Sequence, residues 1–368
     1  MTIKTNLFLG LMLLSLFSSA QTDSTSVNYK QIHFVKLNQA NDLFTYWFQS
    51  DRNYSDGVNI EVAHSIFNNK VADFALLGLK NTPYKDFSLA ISQDIFTPKN
   101  TTTTELDTTD RPYSAQLYLT YAKYSNNFWK GYKLVSRIFL GVQGPIAFGK
   151  EAQNTVHKMI NNPTANGWDH QLRNGLVIDY ETQFLKEIPV TSHLTEFHLF
   201  TTGHIGTIYN YAEIGFRFKF GHYTDTYMNF YGIANPRYKH KLTVKDLAKF
   251  SKTRKQIIPK RIRKKSAQEQ INYLNNKLNR KLQIYFFTEG MATYMLYDGT
   301  VEGSIITFEE NEYEYSYDDY DHLNLTARYG FVFQYSHFYL EYMRYIGNDV
   351  YKISDAFGYG RIVLTWVF

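Results

Sequence analysis

Residues 323–335 read Leu-Asn-Leu-Thr-Ala-Arg-Tyr-Gly-Phe-Val-Phe-Gln-Tyr. The odd positions are Leu323, Leu325, Ala327, Tyr329, Phe331, Phe333 and Tyr335. The even ones include Asn324, Thr326, Arg328 and Gln334. Side chains of a strand alternate between its two faces, so this period of two describes a strand with one apolar and one polar side. A soluble sandwich would alternate too. Here a charge, Arg328, sits in the middle of a long strand, which suits a wet lumen, and the opposite face is rich in Tyr and Phe, which suits interfacial girdles. Together they favour a membrane barrel.

The same alternation recurs along the chain. In 212–220, Ala212, Ile214, Phe216, Phe218 and Phe220 oppose Glu213, Arg217 and Lys219. In 113–121, Tyr113, Ala115, Leu117, Leu119 and Tyr121 oppose Ser114, Gln116, Tyr118 and Thr120. In 176–184, Leu176, Ile178, Tyr180 and Phe184 oppose Asp179, Glu181 and Gln183. The last stretch, 360–368, puts Ile362, Leu364, Trp366 and Phe368 on one face and ends on Phe, an ending that resembles the C-terminal signature of bacterial outer-membrane barrels. Working back from Phe368 predicts strands near 359–368, 337–345, 323–335, 282–295, 209–221, 194–205, 174–185, 132–143, 113–123, 86–95, 57–66 and 32–44. The count is twelve, even as bacterial barrels require, in an all-β antiparallel transmembrane barrel. With periplasmic termini, the outer loops fall near 45–56, 96–112, 144–173, 206–210, 296–322 and 346–358.

Composition agrees. The 368 residues include 31 Tyr and 28 Phe, yet mean hydropathy is −0.38. No run reaches the length of a helical span. The absence of Cys excludes a disulfide scaffold, a Cys-ligated metal and a thiol nucleophile. Lys4, the apolar run 7–17 and Ser18-Ser19-Ala20 read as a secretory signal peptide cleaved after Ala20. The expected organisation is a signal peptide, 1–20, and one outer-membrane barrel, 21–368, with a monomer expected and no nucleic-acid partner. The net charge of +5 averages unlike parts. Residues 236–281 carry 16 Lys+Arg against 2 acidic groups, with weak helical signals, and strand parity places them on the periplasmic side. They read as a solvated helical insertion, or alternatively as a contact for an anionic periplasmic partner or headgroups. Residues 309–321 hold seven acidic groups in an outer loop, a solvated tip or a place for calcium bridging to lipopolysaccharide phosphates.

Candidate chemistry clusters in the outer loops. Asn41-Asp42 ends the first strand. Asp51-Arg52-Asn53-Tyr54-Ser55-Asp56-Gly57 forms the first outer loop, Gln93–Lys99 ends the third strand and Asp110-Arg111-Pro112-Tyr113 opens the fourth. After Gly144-Pro145, residues 151–160 read as a short helix with Gln153 and His157 on one face and Val156, Met159 and Ile160 on its apolar side. A helix in an outer loop must fold over the barrel mouth. It would set His157 and Gln153 against strand ends carrying Asn41, Asp42, Ser55, Lys99 and Arg111. That group offers a general base, hydroxyl and amide donors, carboxylates for a hard cation and positive charge for an anionic substrate.

These pieces, in this order and spacing, resemble the outer-membrane lipid A 3′-O-deacylases of the LpxR type over essentially the whole mature chain. The resemblance is strongest at Asn41-Asp42, 51–57, Gln93-Asp94-Ile95-Phe96-Thr97-Pro98, Asp110-Arg111 with Ser114-Ala115, and Gly144-Pro145 through Gln153 and His157, followed by Trp168 and Gln171. It implies a twelve-stranded barrel, a site between the wall and a loop helix, dependence on Ca2+, and hydrolytic removal of the 3′-acyloxyacyl group of lipid A in lipopolysaccharide. Carried over by position, it implies His157 as the base that activates water, with Asn41, Asp42, Ser55 and Gln153 as partners. Asp42 and Asn41 would be the calcium ligands, and Lys99, Arg52 and Arg111 the substrate contacts. The sequence departs from the family pattern in the long basic insertion and at two motif positions. Asn100–Thr104 stands where the family has a lysine, with Lys99 nearest. Asn162-Pro163 stands where an acidic residue follows the helix His, with Asp169 nearby. A porin and a different outer-membrane lipid esterase are the competing readings.

Overall fold

The computed structural model describes residues 31–41, 44, 53–80, 82, 84–190, 192, 194–227, 232–236, 241–313, 315–348 and 357–368. The signal-peptide stretch, Asp42 and Arg52 lie outside them. Twelve antiparallel strands run in sequence order and close on themselves: β1 (Phe34–Asn41), β2 (Asn53–Ala63), β3 (Tyr84–Thr97), β4 (Ser114–Asn127), β5 (Tyr132–Gln143), β6 (Gly175–Ile188), β7 (Thr195–Gly206), β8 (Tyr209–His222), β9 (Leu282–Asp298), β10 (Leu323–Tyr335), β11 (Phe338–Gly347) and β12 (Phe357–Val367). Closure pairs β1 with β12, Phe34 opposite Val367 and Asn41 opposite Gly360, so no edge is left unpaired. The stretch 323–335 is β10, bound for bound. Its Leu323, Leu325, Phe331 and Tyr335 are exposed on the outer wall, and its Asn324, Val332 and Gln334 are buried inside.

The inner wall is lined with charge, and the charges pair between neighbouring strands. Lys36 meets Glu61, Arg137 meets Glu181, Arg217 Nε lies 2.6 Å from Glu289 Oε1, and Arg361 Nη2 lies 2.9 Å from Glu341 Oε1. Both mouths are crossed by chain. At the end that carries the termini, residues of 223–227 and 232–236 bond to inward-facing groups. Thr224 N donates to Gln283 Oε1 at 2.7 Å, Lys133 Nζ donates to the Thr226 carbonyl at 2.9 Å, and Ala234 N donates to Gln334 Oε1 at 2.9 Å. At the other end, the Gly299 carbonyl accepts from Gln143 Nε2 at 2.6 Å, and Gly299 N donates to the Ile208 carbonyl at 2.6 Å.

The helices are short and lie at the rims: α1 (Lys70–Ala75), α2 (Gly149–Ile160), α3 (Val244–Thr253), α4 (Lys260–Arg263), α5 (Ala267–Leu278) and α6 (Gly299–Glu302). The basic stretch forms helices that pack on the barrel through one face. Capping boxes Thr243/Asp246 and Ser266/Glu269 start α3 and α5. Leu247, Phe250, Ile271, Leu274 and Leu278 pack in one buried cluster with Tyr84, Phe128 and Trp129 of the barrel rim. Arg254, fully buried, ties this cap to the barrel through Glu187, through Asp225 at 2.7 Å and through the Phe128 carbonyl at 2.9 Å.

Candidate active site

The site is built on the outside of the wall. Helix α2 covers the outward faces of β3 and β4. Ile95, Tyr113, Ala115, Ala147, Ala165 and Trp168 form a buried cluster beneath it, with Leu117, Val142 and Ala152 at its margin. Strand residues that would otherwise meet lipid are thus covered by protein. The approach is close because Gly149 has no side chain: a Cβ there would stand 2.4 Å from Ala115 Cβ and 2.5 Å from Trp168 Cη2. Gly144, at φ +95, opens the segment, and Gln93 Nε2 donates to the Ala147 carbonyl at 2.6 Å.

The far end of α2 sets its histidine. Asn161 takes φ 57 at the C-cap, the left-handed conformation that Asn tolerates. Asn162 N donates back to the His157 carbonyl at 2.8 Å, and the reversal brings the Pro163 carbonyl to 2.6 Å from His157 Nδ1. A carbonyl only accepts, so Nδ1 carries the proton and Nε2 of the neutral ring is the basic nitrogen. The stretch Asn162-Pro163, which lacks the acidic residue of the family pattern, therefore orients the ring with a backbone oxygen. Asp169 is exposed instead, and its hydrogen bond to Lys150 Nζ at 2.7 Å holds its carboxyl below the usual range.

His157, Gln153, Val156 and Ile160 of α2 line one cleft with Asn41, Ser55 and Asp56 of the wall. The strands supply these groups through an irregularity. The register of β2 against β3 shifts between Tyr54 and Asp56. Consecutive strand residues normally face opposite ways, but a bulge turns two to one side, and here Ser55 and Asp56 both line the outer cleft. Tyr54 points inward to Asp94, 2.6 Å away. Asp56 Oδ1 accepts from Gln39 Nε2 at 2.5 Å and Asn41 Nδ2 at 3.3 Å, and Ser55 shares a short hydrogen bond with Thr97. Gln153 is buried, and its Oε1 accepts from Trp168 Nε1 at 2.7 Å. That bond fixes the amide, and Gln153 Nε2 is a buried donor with no partner among the described residues. An unmatched donor beside a basic nitrogen is suited to an oxygen that becomes negative.

Of the residues expected from the sequence, His157, Gln153, Ser55 and Asn41 meet in this cleft. Ser55 sits in a strand, not in the expected loop, because β2 starts at Asn53. Arg111 does not line the cleft: it is buried over the Phe96 ring, and its Nη2 donates to Thr300 Oγ1 at 2.9 Å near the lumen mouth. Lys99 is exposed and donates its backbone N–H to Asp110. Asp56 and the tie from Trp168 were not assigned roles from sequence. Asp56 stood in a quoted motif, but alternation alone would have sent it and Ser55 to opposite faces. The carboxylate, amide and hydroxyl oxygens of Asp56, Asn41 and Ser55 form a donor set that fits a hard divalent cation in kind. Among the described residues no group of three or more His, Asp or Glu side chains is arranged to hold a metal ion.

A strap of outer loops buttresses α2. His170 Nδ1 lies 2.7 Å from Glu312 Oε2, Arg173 also holds Glu312, and Tyr315 Oη donates to the Asp110 carbonyl at 2.6 Å. The hydrogen bond to Glu312 raises the His170 pKa, and the same contact lowers that of Glu312.

A closed twelve-stranded barrel with an apolar outer wall, and a histidine cleft between that wall and a rim helix, define a membrane-embedded barrel with a site open to the side. The family model described as "Outer membrane protein LpxR" matches residues 7–368, and the chain belongs to that family of outer-membrane proteins. Among solved structures, LpxR from Salmonella typhimurium is similar at 17% identity and a TM-score of 0.65, covering 91% of this chain and 100% of that one. KdgM porin matches at 5% identity and a TM-score of 0.33, covering 91% of this chain and 99% of that one. The translocator domain of autotransporter NalP from Neisseria meningitidis matches at 9% and 0.36, covering 99% and 96%. No curated protein matches the sequence.

Proposed function

We propose that the protein is a lipid A deacylase that hydrolyses the 3′-acyloxyacyl ester, with His157 as the base. The observation that carries the reading is the pairing of the Pro163 carbonyl with His157 Nδ1 beside the unmatched Gln153 Nε2, in a cleft on the bilayer side of the wall. His157 Nε2 takes a proton from water as its oxygen bonds to the ester carbon. Gln153 Nε2–H meets the oxygen that becomes negative. As the tetrahedral centre collapses, the bond from carbon to the sugar oxygen breaks and His157 returns the proton to that oxygen. Asn41, Asp56 and Ser55, with Asp42 beside them in sequence, would hold Ca2+, which when bound supplies electrostatic stabilisation of negative oxygen. Ile160, an exposed apolar side chain lining the cleft, suits an acyl chain.

Mass spectra of lipid A from cells expressing the chain test this reading. The native protein should remove one acyloxyacyl unit, and His157→Ala and His157→Gln should not, while both variants remain folded barrels on a heat-modifiability gel. Chelation of the purified protein should stop the reaction, and calcium should restore it. Unchanged lipid A with the native protein in calcium would sink the proposal. The competing reading, a porin, is disfavoured by the chain that crosses both mouths, with Lys133, Gln283 and Gln334 bonded to one crossing and Gln143 to the other. The other, a Ser/His esterase, is disfavoured because Ser55 is engaged with Thr97.

A further inference from the structure

The cap formed by α3, α4 and α5 is held to the barrel by buried residues, and its cations are left outside. Lys252, Lys255, Lys260, Arg261, Lys264 and Lys265 are all exposed. Among the described Lys and Arg side chains of 241–281, only Arg254 and Lys265 belong to ion pairs. A surface of one sign, fixed on a folded scaffold, is a site for a partner of the other sign.

The neighbouring wall adds apolar surface. Helix α1 and its flanks, 64–80, fold back over the outside of β3 and β4. Lys123, an outward-facing strand residue, is buried under them, with its Nζ 2.6 Å from Asp73 Oδ1 and 2.9 Å from the Leu76 carbonyl. Tyr121 Oη donates to the Phe67 carbonyl, and Leu77 N donates to Tyr180 Oη at 2.8 Å, so the segment reaches across to β6. Yet its outer side shows Ile66, Val71 and Phe74 at 74, 77 and 93% exposure. A short amphipathic helix pressed on a barrel wall, apolar side outward, lies in the plane of a bilayer interface. The cap packs on the turn between β4 and β5 through Phe128 and Trp129, and on the end of β6 through Glu187, in the same sector of the rim.

We propose that the cap and α1 form one collar that seats the terminus-bearing end of the barrel on an anionic phospholipid surface, the inner leaflet of the outer membrane. Apolar side chains enter the acyl boundary, and the lysines of α3 and α4 face the headgroups. Basic groups next to apolar ones fit a charged lipid surface better than a soluble polyanion, which would need the charge alone.

The full mature chain in nanodiscs tests the collar. Discs are made of phosphatidylcholine alone, or with about one part in three phosphatidylglycerol, and amide exchange is read in α3 and α5. Exchange should slow about five-fold or more in the anionic discs at low salt, because each lysine near such a surface contributes about that factor. The difference should vanish near 0.5 M salt, roughly where screening shortens to a few ångströms. Lys252→Glu, Lys255→Glu, Lys260→Glu and Lys264→Glu together should abolish it. The same four changed to Gln should weaken it, keeping the test valid if the Glu set fails to assemble. Equal exchange in the two lipids would overturn the proposal. So would protection by polyglutamate added to phosphatidylcholine discs with none from phosphatidylglycerol, which would assign the surface to a soluble polyanion.

Discussion

Replacing Gly149 with Ala sets two effects of opposite sign against each other. Ala favours a helix over Gly by up to about 1 kcal/mol, so local propensity alone predicts a slightly firmer α2. Packing predicts the reverse. The new Cβ would lie 2.4 Å from Ala115 Cβ and 2.5 Å from Trp168 Cη2, where carbon contacts settle at about 3.5–4.0 Å. Ala115 is on a strand, and Trp168 is fully buried with its Nε1 bonded to Gln153, so neither yields easily. The helix must therefore lift from the wall by about 1 Å or more. Displacement of that size between a base and its substrate costs on the order of 100-fold in rate. The assay is conversion of lipid A by purified protein, followed by mass spectrometry, beside a heat-modifiability gel for barrel folding. Gly149→Ala should fold and lose about 100-fold in rate, and adding Ala115→Gly should recover part of the loss. A Gly149→Ala protein with the native rate would refute the claim that contact of α2 with the wall sets the site.

Three further outcomes follow from the same geometry. Trp168→Phe keeps most of the buried bulk but removes the donor to Gln153 Oε1. The loss should be roughly 1–3 kcal/mol in thermal unfolding and at least about ten-fold in lipid A conversion, with KM little changed. Arg254→Met leaves Glu187 and Asp225 buried without their cation, a change worth about 3–5 kcal/mol to the cap. Amide exchange in α3 and α5 should quicken while the strands stay protected. The His170–Glu312 contact gives the outer strap a pH window: the raised His170 pKa adds stability that is full below the ordinary histidine value and lost as pH rises through the raised one. The lowered Glu312 pKa adds stability present above the ordinary carboxylate value and lost as pH falls through the lowered one. Proteolysis of 309–321 should be slowest between those limits, and His170→Asn should flatten the profile.

The barrel was legible because its signal is repeated. β10 runs over the bounds its alternation gave, and β5 covers 132–143 as read. Strand ends were less legible. β2 begins at Asn53, inside a stretch whose Asp, Asn, Ser and Gly are turn formers, because pairing with β3 outweighs local preference there. The bulge at Tyr54/Asp56 leaves no mark in a period-two pattern, so Asp56 could not be assigned to the cleft. Helix α2 was legible from its i, i+4 pair of Gln153 and His157, but the carbonyl that orients the ring belongs to Pro163, and no side-chain pattern reports a carbonyl. Arg111 was misplaced for a related reason. Its partner, Thr300, is far away in sequence, and only the fold of 299–304 into the mouth brings them together. The buried apolar positions of the basic stretch were visible as Leu247, Phe250, Ile271 and Leu274, but their partners Phe128 and Trp129 sit in a turn that pattern reading passes over.

The position of the cleft also bears on why the lumen is crossed by chain at both ends. A barrel used as a conduit would keep its inner wall wet and its mouths clear. Here inward-facing charges are neutralised pairwise between neighbouring strands, as in Arg217–Glu289 and Arg361–Glu341, and loop chain bonds to inward-facing glutamines at both ends: Gln283 and Gln334 at one, Gln143 at the other. Such crossings stiffen the wall from inside. A stiff wall is what a site on the outside needs, because Asn41, Ser55 and Asp56 belong to strands while His157 and Gln153 belong to a helix that merely rests on them. The two halves of the cleft stay in register only if β1 to β4 do not flex beneath α2. An amphiphile anchored in the outer leaflet presents its ester bonds at headgroup depth, and it can reach a catalytic group from the side without leaving the bilayer. Crossing the lumen's ends and placing the histidine outside are thus two parts of one arrangement, in which the barrel serves as a rigid wall facing lipid.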